Sequence, residues 1–535
     1  MTSGRSIVGI DLGTSNSCVA VARGGRVEVI ADDQGRDLLP TVVHFPRQGE
    51  PIVGIAARNR MNLQPQRTVA GAKRLLGRTH DAPEIERLKA QQAWSVVRGT
   101  GDAPAIPIDD RTWSPQELLS LVLRELRRTC QRELQQDAIR AVLTVPANFT
   151  HGQRRAAMDA AALAGIHVER LLNEPTAAAM AYGMLGSKSE TLAVFDLGGG
   201  TFDVTVMDVR GNVFEVRATA GDAFLGGTDI DEGVAALLAE RLRETYDIAV
   251  SPEHIPRLLP AAERIKIELS SQPEALAEVA GPWLGIDDKR LFQVRFTRED
   301  VEAIARPLLE RALALCHVAL GQARKAPREI DRVILVGGAT RMPLVRDMVE
   351  QAFGKAPLSS IDPERVVAIG AATYAAAITG ELRRTGTYAA PTLIDVTPNG
   401  LGIETVGGFA DLLIPANASL PVERTRRFST ARDNQTRVRL RVLEGTSRAA
   451  AQNHALGELV IDDLPAAPRG ETTMAVTFRL NTDGMLEVRA VNSATGAEHR
   501  TQLNVAGRDD VSSTPGSDAN PMASSAQRPM PPTER

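Results

Sequence analysis

The sequence predicts an α/β domain of two similar lobes, then an all-β domain, then a disordered polar tail. Three observations carry that expectation. A strand–turn–strand motif occurs twice, first at Gly9-Ile10-Asp11-Leu12-Gly13-Thr14-Ser15-Asn16-Ser17 and again at Phe195-Asp196-Leu197-Gly198-Gly199-Gly200-Thr201-Phe202-Asp203. Strands alternate with amphipathic helices over residues 1–380. From residue 397 to 507 the hydrophobic period changes to two, as on half-buried strands.

The repeated motif has a chemical reading. Glycines let backbone N–H groups approach an anion closely and form a nest. The hydroxyls of Thr14, Ser15 and Thr201 add donors. Aspartates repel phosphate, so Asp11 and Asp196 make sense if a divalent cation and its waters lie between. The two aspartates stand about 185 residues apart, which suggests a duplicated domain whose halves face one another across a phosphate ligand. No G-x-x-x-x-G-K-[ST] loop and no strand-linked G-x-G-x-x-G competes with that site.

Composition narrows the classes. The 535 residues allow two to four domains, and 43% hydrophobic with 24% charged content is that of a globular protein. A formal net charge of −4 gives no electrostatic reason to expect nucleic acid or a membrane surface. The three cysteines, Cys18, Cys130 and Cys316, are far apart and lack metal spacing, which points to a reducing compartment. No apolar run reaches the length of a membrane span, and residues 7–10 form a strand, not a signal peptide. A cytoplasmic location is expected.

Individual elements follow from local chemistry. Ser114-Pro115-Gln116-Glu117 is a capping box with proline at the first helical position. It opens a helix carrying Leu118, Leu119, Val122 and Leu126 on one face. Residues 141–146 form a buried strand. Thr297 caps a helix with Val301, Ile304, Leu308 and Leu309 at helical spacing. Residues 333–336 are a short strand running into Gly337-Gly338-Ala339-Thr340-Arg341, a Gly-rich strand end of the sort that lines crevices. Residues 381–396 form a linker. In the β domain Val438, Leu440 and Val442 alternate with Arg437, Arg439 and Arg441. Val476, Phe478 and Leu480 alternate likewise, and Thr482-Asp483-Gly484 turns the chain. The arginines, with Arg424, Arg426, Arg427 and Arg432, read as a solvated strand face or a surface for acidic partners. Residues 508–535 are rich in Ser and Pro.

Taken together the chain resembles the seventy-kilodalton heat-shock chaperone family, the DnaK type. The likeness rests on residues 9–17, Ala72-Lys73-Arg74-Leu75, Val145-Pro146-Ala147, Asn173-Glu174-Pro175-Thr176-Ala177-Ala178-Ala179, residues 196–201, 262–270 and 336–341, and Phe428-Ser429-Thr430 with Asn434-Gln435. The resemblance implies an actin-like two-lobed ATPase domain over residues 1–380, the linker over 381–396, and a β-sandwich over 397–507 that grips extended apolar peptides under control of ATP. It implies ATP or ADP, Mg²⁺ and K⁺ as cofactors, and a role in protein folding and stress response.

It also implies residue roles. Asp11, Glu174 and Asp196 surround Mg²⁺. Gly13, Thr14, Ser15, Asn16, Gly198, Gly199, Gly200 and Thr201 hold the phosphates. Lys73 approaches the γ-phosphate, and Glu174 or Asp203 orients the attacking water, with Thr201 assisting hydrolysis. Asp203 helps hold a monovalent cation. Glu263, Lys266 and Ser270 sit at i, i+3 and i+7 of a helix; by spacing alone they are a solvated face with a Glu–Lys pair. By resemblance they contact adenosine, with Gly337, Gly338 and Arg341. Ile403, Thr405, Val406, Phe428, Ala431, Val438, Leu440 and Met485 match the peptide cleft; by pattern alone each is equally a core residue.

The sequence departs from the family in three places. After residue 507 it passes directly to the Ser/Pro tail, so the helical lid is expected to be missing. The linker keeps only Leu393 and Ile394 of its apolar run. Asn148 replaces an aromatic residue in the relay region. Arg154 is retained, and Arg170, Asn173, Thr176 and Asp395 match positions that dock J-domain co-chaperones. Expected partners are therefore unfolded polypeptides, a J-domain protein and a nucleotide exchange factor. The alternative is an ATP-gated sensor with one dedicated client. An actin-fold sugar or acetate kinase would share the clamp but not need the β domain.

Overall fold

The computed structural model describes residues 6–183, 189–287, 289–380, 391–462, 464–493, 495–501 and 523–524. The first ten linker residues, 381–390, lie outside them, and so does the tail called disordered, apart from 523–524. The chain separates into two compact units, one of residues 1–149 and 153–394, the other of residues 150–152 and 395–535.

The first unit holds two sheets of matching topology. In one, Ile7–Asp11 pairs parallel with Ile139–Val145 and antiparallel with Asn16–Arg23. In the other, Glu190–Leu197 pairs parallel with Arg332–Val336 and antiparallel with Phe202–Arg210. Each sheet continues as a meander, to Arg26–Val29 and to Val213–Asp222 respectively. The duplication visible in the motifs is thus a duplication of strand order.

Helix termini form where side chains satisfy orphan backbone groups. The Ser114 hydroxyl accepts from the Glu117 N–H at 3.2 Å, and the Glu117 carboxylate accepts from the Ser114 N–H at 2.8 Å. That box opens Pro115–Leu134, which ends on Gln135 in the left-handed conformation. Thr297 caps Arg298–Ala323 in the same way.

Two helices of small residues pack between the sheets. Glu174–Gly183 carries Ala177, Ala178 and Ala179, all fully buried. Val366–Thr379 crosses against it so tightly that a Cβ on Gly370 would lie 1.7 Å from the Ala177 carbonyl oxygen. A Cβ on Gly9, in the first strand, would lie 2.2 Å from the Ala372 nitrogen. Only glycine permits these two backbone approaches.

Thr392–Ile394, the last residues of the unit, add a parallel strand beside residues 213–215, with Phe214 opposite Leu393. Two apolar linker residues are enough to form that pairing.

The second unit is a sandwich of antiparallel sheets. One orders Phe409–Ile414, Leu401–Thr405, Val438–Glu444 and His454–Ile461; the other orders Glu498–Thr501, Leu486–Asn492, Thr473–Leu480, Val422–Ser429 and the two-residue strand Ala523–Ser524. Val438, Leu440, Val442, Val476, Phe478 and Leu480 all point into one core, as the period of two requires. Among the arginines, Arg426 pairs with Asp411, Arg437 with Asp462 and Arg441 with Glu404.

Substituting Gly370 by Ala forces backbone apart at a 1.7 Å overlap. We expect a cost of about 1–3 kcal/mol, and a fall in melting temperature of about 2–10 °C. Calorimetry of the variant checks this; an unchanged melting temperature would contradict the packing.

Candidate functional site

The two glycine turns face each other across a cavity of about 430 Å³. Asp11, Gly13, Thr14 and Ser15 line it from one lobe, and Asp196, Gly198, Gly199 and Thr201 from the other. The turns are close. A Cβ on Gly199 would lie 2.0 Å from the Ser15 hydroxyl, and one on Gly200 would lie 2.5 Å from Thr14 Cγ2. Gly200 itself is not among the lining residues; its carbonyl points to Arg74. Behind the second turn, the Gly227 N–H donates to the Gly198 carbonyl at 2.9 Å and the Thr228 N–H to the Gly199 carbonyl at 2.7 Å. Gly337, at φ +86°, packs where a Cβ would strike the Leu197 carbonyl.

The cavity floor is acidic. Asp11 ends the first strand and accepts from the Thr144 hydroxyl at 3.2 Å. Burial pushes its carboxyl up to about 7, and Glu174 pushes the same way. Burial, reinforced by Glu174, also raises Asp196 and Asp203 well above the usual carboxylate range. One oxygen of Asp203, Oδ1, is buried with no hydrogen-bond partner among the described residues. Glu174 opens its helix and bonds the Lys73 ammonium at 2.7 Å. Lys73 belongs to the short helix Ala72–Leu75, and its ammonium sits 5.5 Å above the Phe149 ring.

This donor set fits a hydrated cation. Carboxylates crowded in low dielectric gain most from added positive charge. Among the described residues no three acids, imidazoles or thiols converge closely enough to ligate one ion directly. Waters on a small hard cation span that gap.

At the far end of the cavity Glu263 and Lys266 do not pair with each other. Glu263 pairs with Arg58 of the opposite lobe, and Lys266 with Asp231 at 2.7 Å. Burial carries Asp231 up to about 7 against the pull of Lys266. Ser270 does not line the cavity; it closes the helix by donating to the Lys266 carbonyl at 3.0 Å. Arg341 is half-exposed, bonding Asp362 at 2.6 Å, and Asn16 bonds Glu364 at 3.1 Å. Sequence reasoning missed Arg58, Thr228, Asp231 and Glu364 in the lining. Gly226-Gly227-Thr228 was a readable third Gly/Thr turn; Arg58 and Glu364 carry no local signal.

Arg74 joins the lobes from behind. Its buried guanidinium donates to the Gly200 carbonyl at 2.9 Å and to Asp229 at 2.8 Å. The same chain segment therefore aims Lys73 at the acids and ties the second turn in place.

In the β-sandwich, Ile403, Phe428, Val438 and Leu440 are core residues, each 1% exposed or less. Thr405, Ala431 and Met485 are half-buried. Val406 stands exposed at the tip of a hairpin beside Phe409. Near the helix Glu174–Gly183, Arg154 bonds Asn173 at 2.7 Å.

Two matching sheets that close glycine turns over a nucleotide-sized cavity define an actin-like, two-lobed fold. The chain belongs to the Hsp70 family: the family profile described as Hsp70 protein matches residues 7–528. It is 41% identical over 503 residues to the chaperone protein DnaK 1 of Synechococcus sp., an alignment covering 93% of this chain. The chain spans 66% of the length of that relative.

Replacing Arg74 with Met removes the buried cation shared by Asp229 and the Gly200 carbonyl and leaves Asp229 with the more exposed Arg87. We expect a loss of about 1–3 kcal/mol in stability. Denaturant unfolding checks it; a variant as stable as the parent would contradict the cross-lobe tie.

Proposed function

We propose that this protein is a Mg²⁺-dependent ATPase whose β-sandwich binds extended apolar peptide segments, as an ATP-controlled chaperone of the cytoplasm. The observation that carries the reading is the juxtaposition of Gly199 with Ser15, and of Gly200 with Thr14, above the half-buried Asp11 and the buried Glu174 and Asp196.

In this reading the backbone N–H groups and hydroxyls of Gly13, Thr14, Ser15, Asn16 and Gly198 to Thr201 hold the β- and γ-phosphates. Glu263 and Lys266, with Gly337, Gly338 and Arg341, frame the nucleoside, and Ser270 supports that helix from its end. Asp11, Glu174 and Asp196 hold the waters of Mg²⁺, which supplies charge neutralisation at the phosphates. Lys73 stabilises charge on the transferring phosphoryl group, and Glu174 or Asp203 positions the attacking water. The orphan oxygen of Asp203 suits a K⁺ ion. Thr405, Val406, Ala431 and Met485 offer apolar surface and backbone to a peptide. Ile403, Phe428, Val438 and Leu440 support them from the core. A J-domain protein, docking near Arg170, Asn173 and Thr176, with Asp395 a further matching position in the second unit, and a nucleotide exchange factor complete the cycle.

ATP turnover by the full chain with Mg²⁺ and K⁺, with and without an aliphatic-rich peptide, tests the reading. Peptide should stimulate turnover. Lys73→Ala should lower turnover by about a hundredfold or more, while Thr201→Ala slows hydrolysis and leaves ATP binding largely intact. A Lys73→Ala variant with parental turnover would refute the catalytic assignment. Turnover indifferent to every peptide tried, save one specific client, would favour the dedicated sensor.

A further inference from the structure

The edge of the sandwich that offers backbone to a peptide already has a neighbour from this chain. Val422–Ser429 is paired along its full length on one side by Thr473–Leu480, from Val422 opposite Leu480 to Ser429 opposite Thr473. On its other side, Phe428 lies opposite Ser524 and Ser429 opposite Ala523, in antiparallel register. We propose that the C-terminal tail is a built-in occupant of this edge, competing in cis with extended peptides for the backbone of residues 428–429. The competition rests on the peptide-binding reading above; the occupancy does not.

Several features of the chain fit a weak, sequence-tolerant occupant. The Phe428 side chain is fully buried in the core, so the edge is recognised through main-chain groups. An edge strand left bare exposes N–H and C=O groups that any extended segment can pair. Pro515, Pro521, Pro529, Pro531 and Pro532 cannot donate a ladder hydrogen bond. Residues 522–528 form a proline-free window between two of them, with no acidic residue. Ala523 and Ser524 are small and fall in that window.

Reach is not limiting. From Thr501, the end of the preceding strand, to Ala523 the chain has 22 steps, enough for an extended span of about 70 Å. A tether of this length holds the segment at an effective concentration on the order of millimolar. A segment with millimolar intrinsic affinity then fills the edge in about half of the molecules. External peptides bind only the open fraction, so their apparent affinity falls in proportion. Every client is weakened by the same factor, so the tail raises the client concentration needed without changing the order of preference.

The test compares the full chain with a chain ending at Gly507, and with a full-length Ala523→Pro variant, which removes the N–H facing Ser429. Two readouts are used: hydrogen exchange at the Ser429 amide, which faces the tail, without peptide, and binding of a fluorescent aliphatic-rich heptapeptide. We expect exchange at the Ser429 amide to quicken in both altered chains, and the heptapeptide to bind them about twofold more tightly. Exchange unchanged by removing the tail would overturn the occupancy, even if the heptapeptide binds well. Tail-dependent exchange with no heptapeptide bound by any form would support the occupancy and refute the peptide reading instead.

Discussion

The structure of the first unit turns on a cluster of carboxyl groups held away from water. Asp11, Glu174 and Asp196 line one cleft with the Lys73 ammonium, and Asp203 is buried opposite Asp196 on the neighbouring strand. Taking such groups out of water costs several kcal/mol per charge unless opposite charge is supplied. Burial and mutual repulsion leave Asp11, Asp196 and Asp203 well above their ordinary range, so the protein alone does not balance the site. The surrounding elements hold the acids in this unfavourable arrangement. Two strand ends deliver Asp11 and Asp196, and a helix start delivers Glu174. The short helix Ala72–Leu75 sends Lys73 forward and Arg74 back.

Duplication explains how one chain builds so symmetrical a clamp. Each lobe uses a strand flanked by a parallel and an antiparallel neighbour, and each ends that strand beside a glycine turn. The lobes come close because the helices between them are lined with Ala and Gly. The contact of Gly370 with Ala177 brings backbone against backbone with no side chain between. Cross-lobe ties, Arg74 to Asp229 and Arg58 to Glu263, then span the two sides of the cavity.

Much of this was legible in the sequence, for identifiable reasons. The glycine turns were readable because the same residue types recur in the same order beside apolar strands. The sandwich was readable because Val438, Leu440 and Val442 alternate with arginines, and each strand has one wet face. Capping at Ser114 and Thr297 was readable because the partners lie three residues apart. What escaped was non-local. Arg58 meets Glu263 across 205 positions, and no pattern announces it. Ser270 was assigned to adenosine by resemblance and not by its spacing; at the helix end its hydroxyl donates to the Lys266 carbonyl. In the β domain, apolar character could not divide core from cleft. Phe428 and Val438 lie wholly inside, while Val406, equally apolar, stands outside.

The most direct measurement is calorimetric binding of ADP to the full chain, with Mg²⁺ and then with excess EDTA. If the buried acids are balanced by a hydrated divalent cation beside the phosphates, Mg²⁺ should tighten binding by about tenfold or more. An Asp196→Asn variant should lose most of that gain. Equal affinity in Mg²⁺ and in EDTA would contradict the account, because the carboxyl cluster would then have no part in holding the nucleotide.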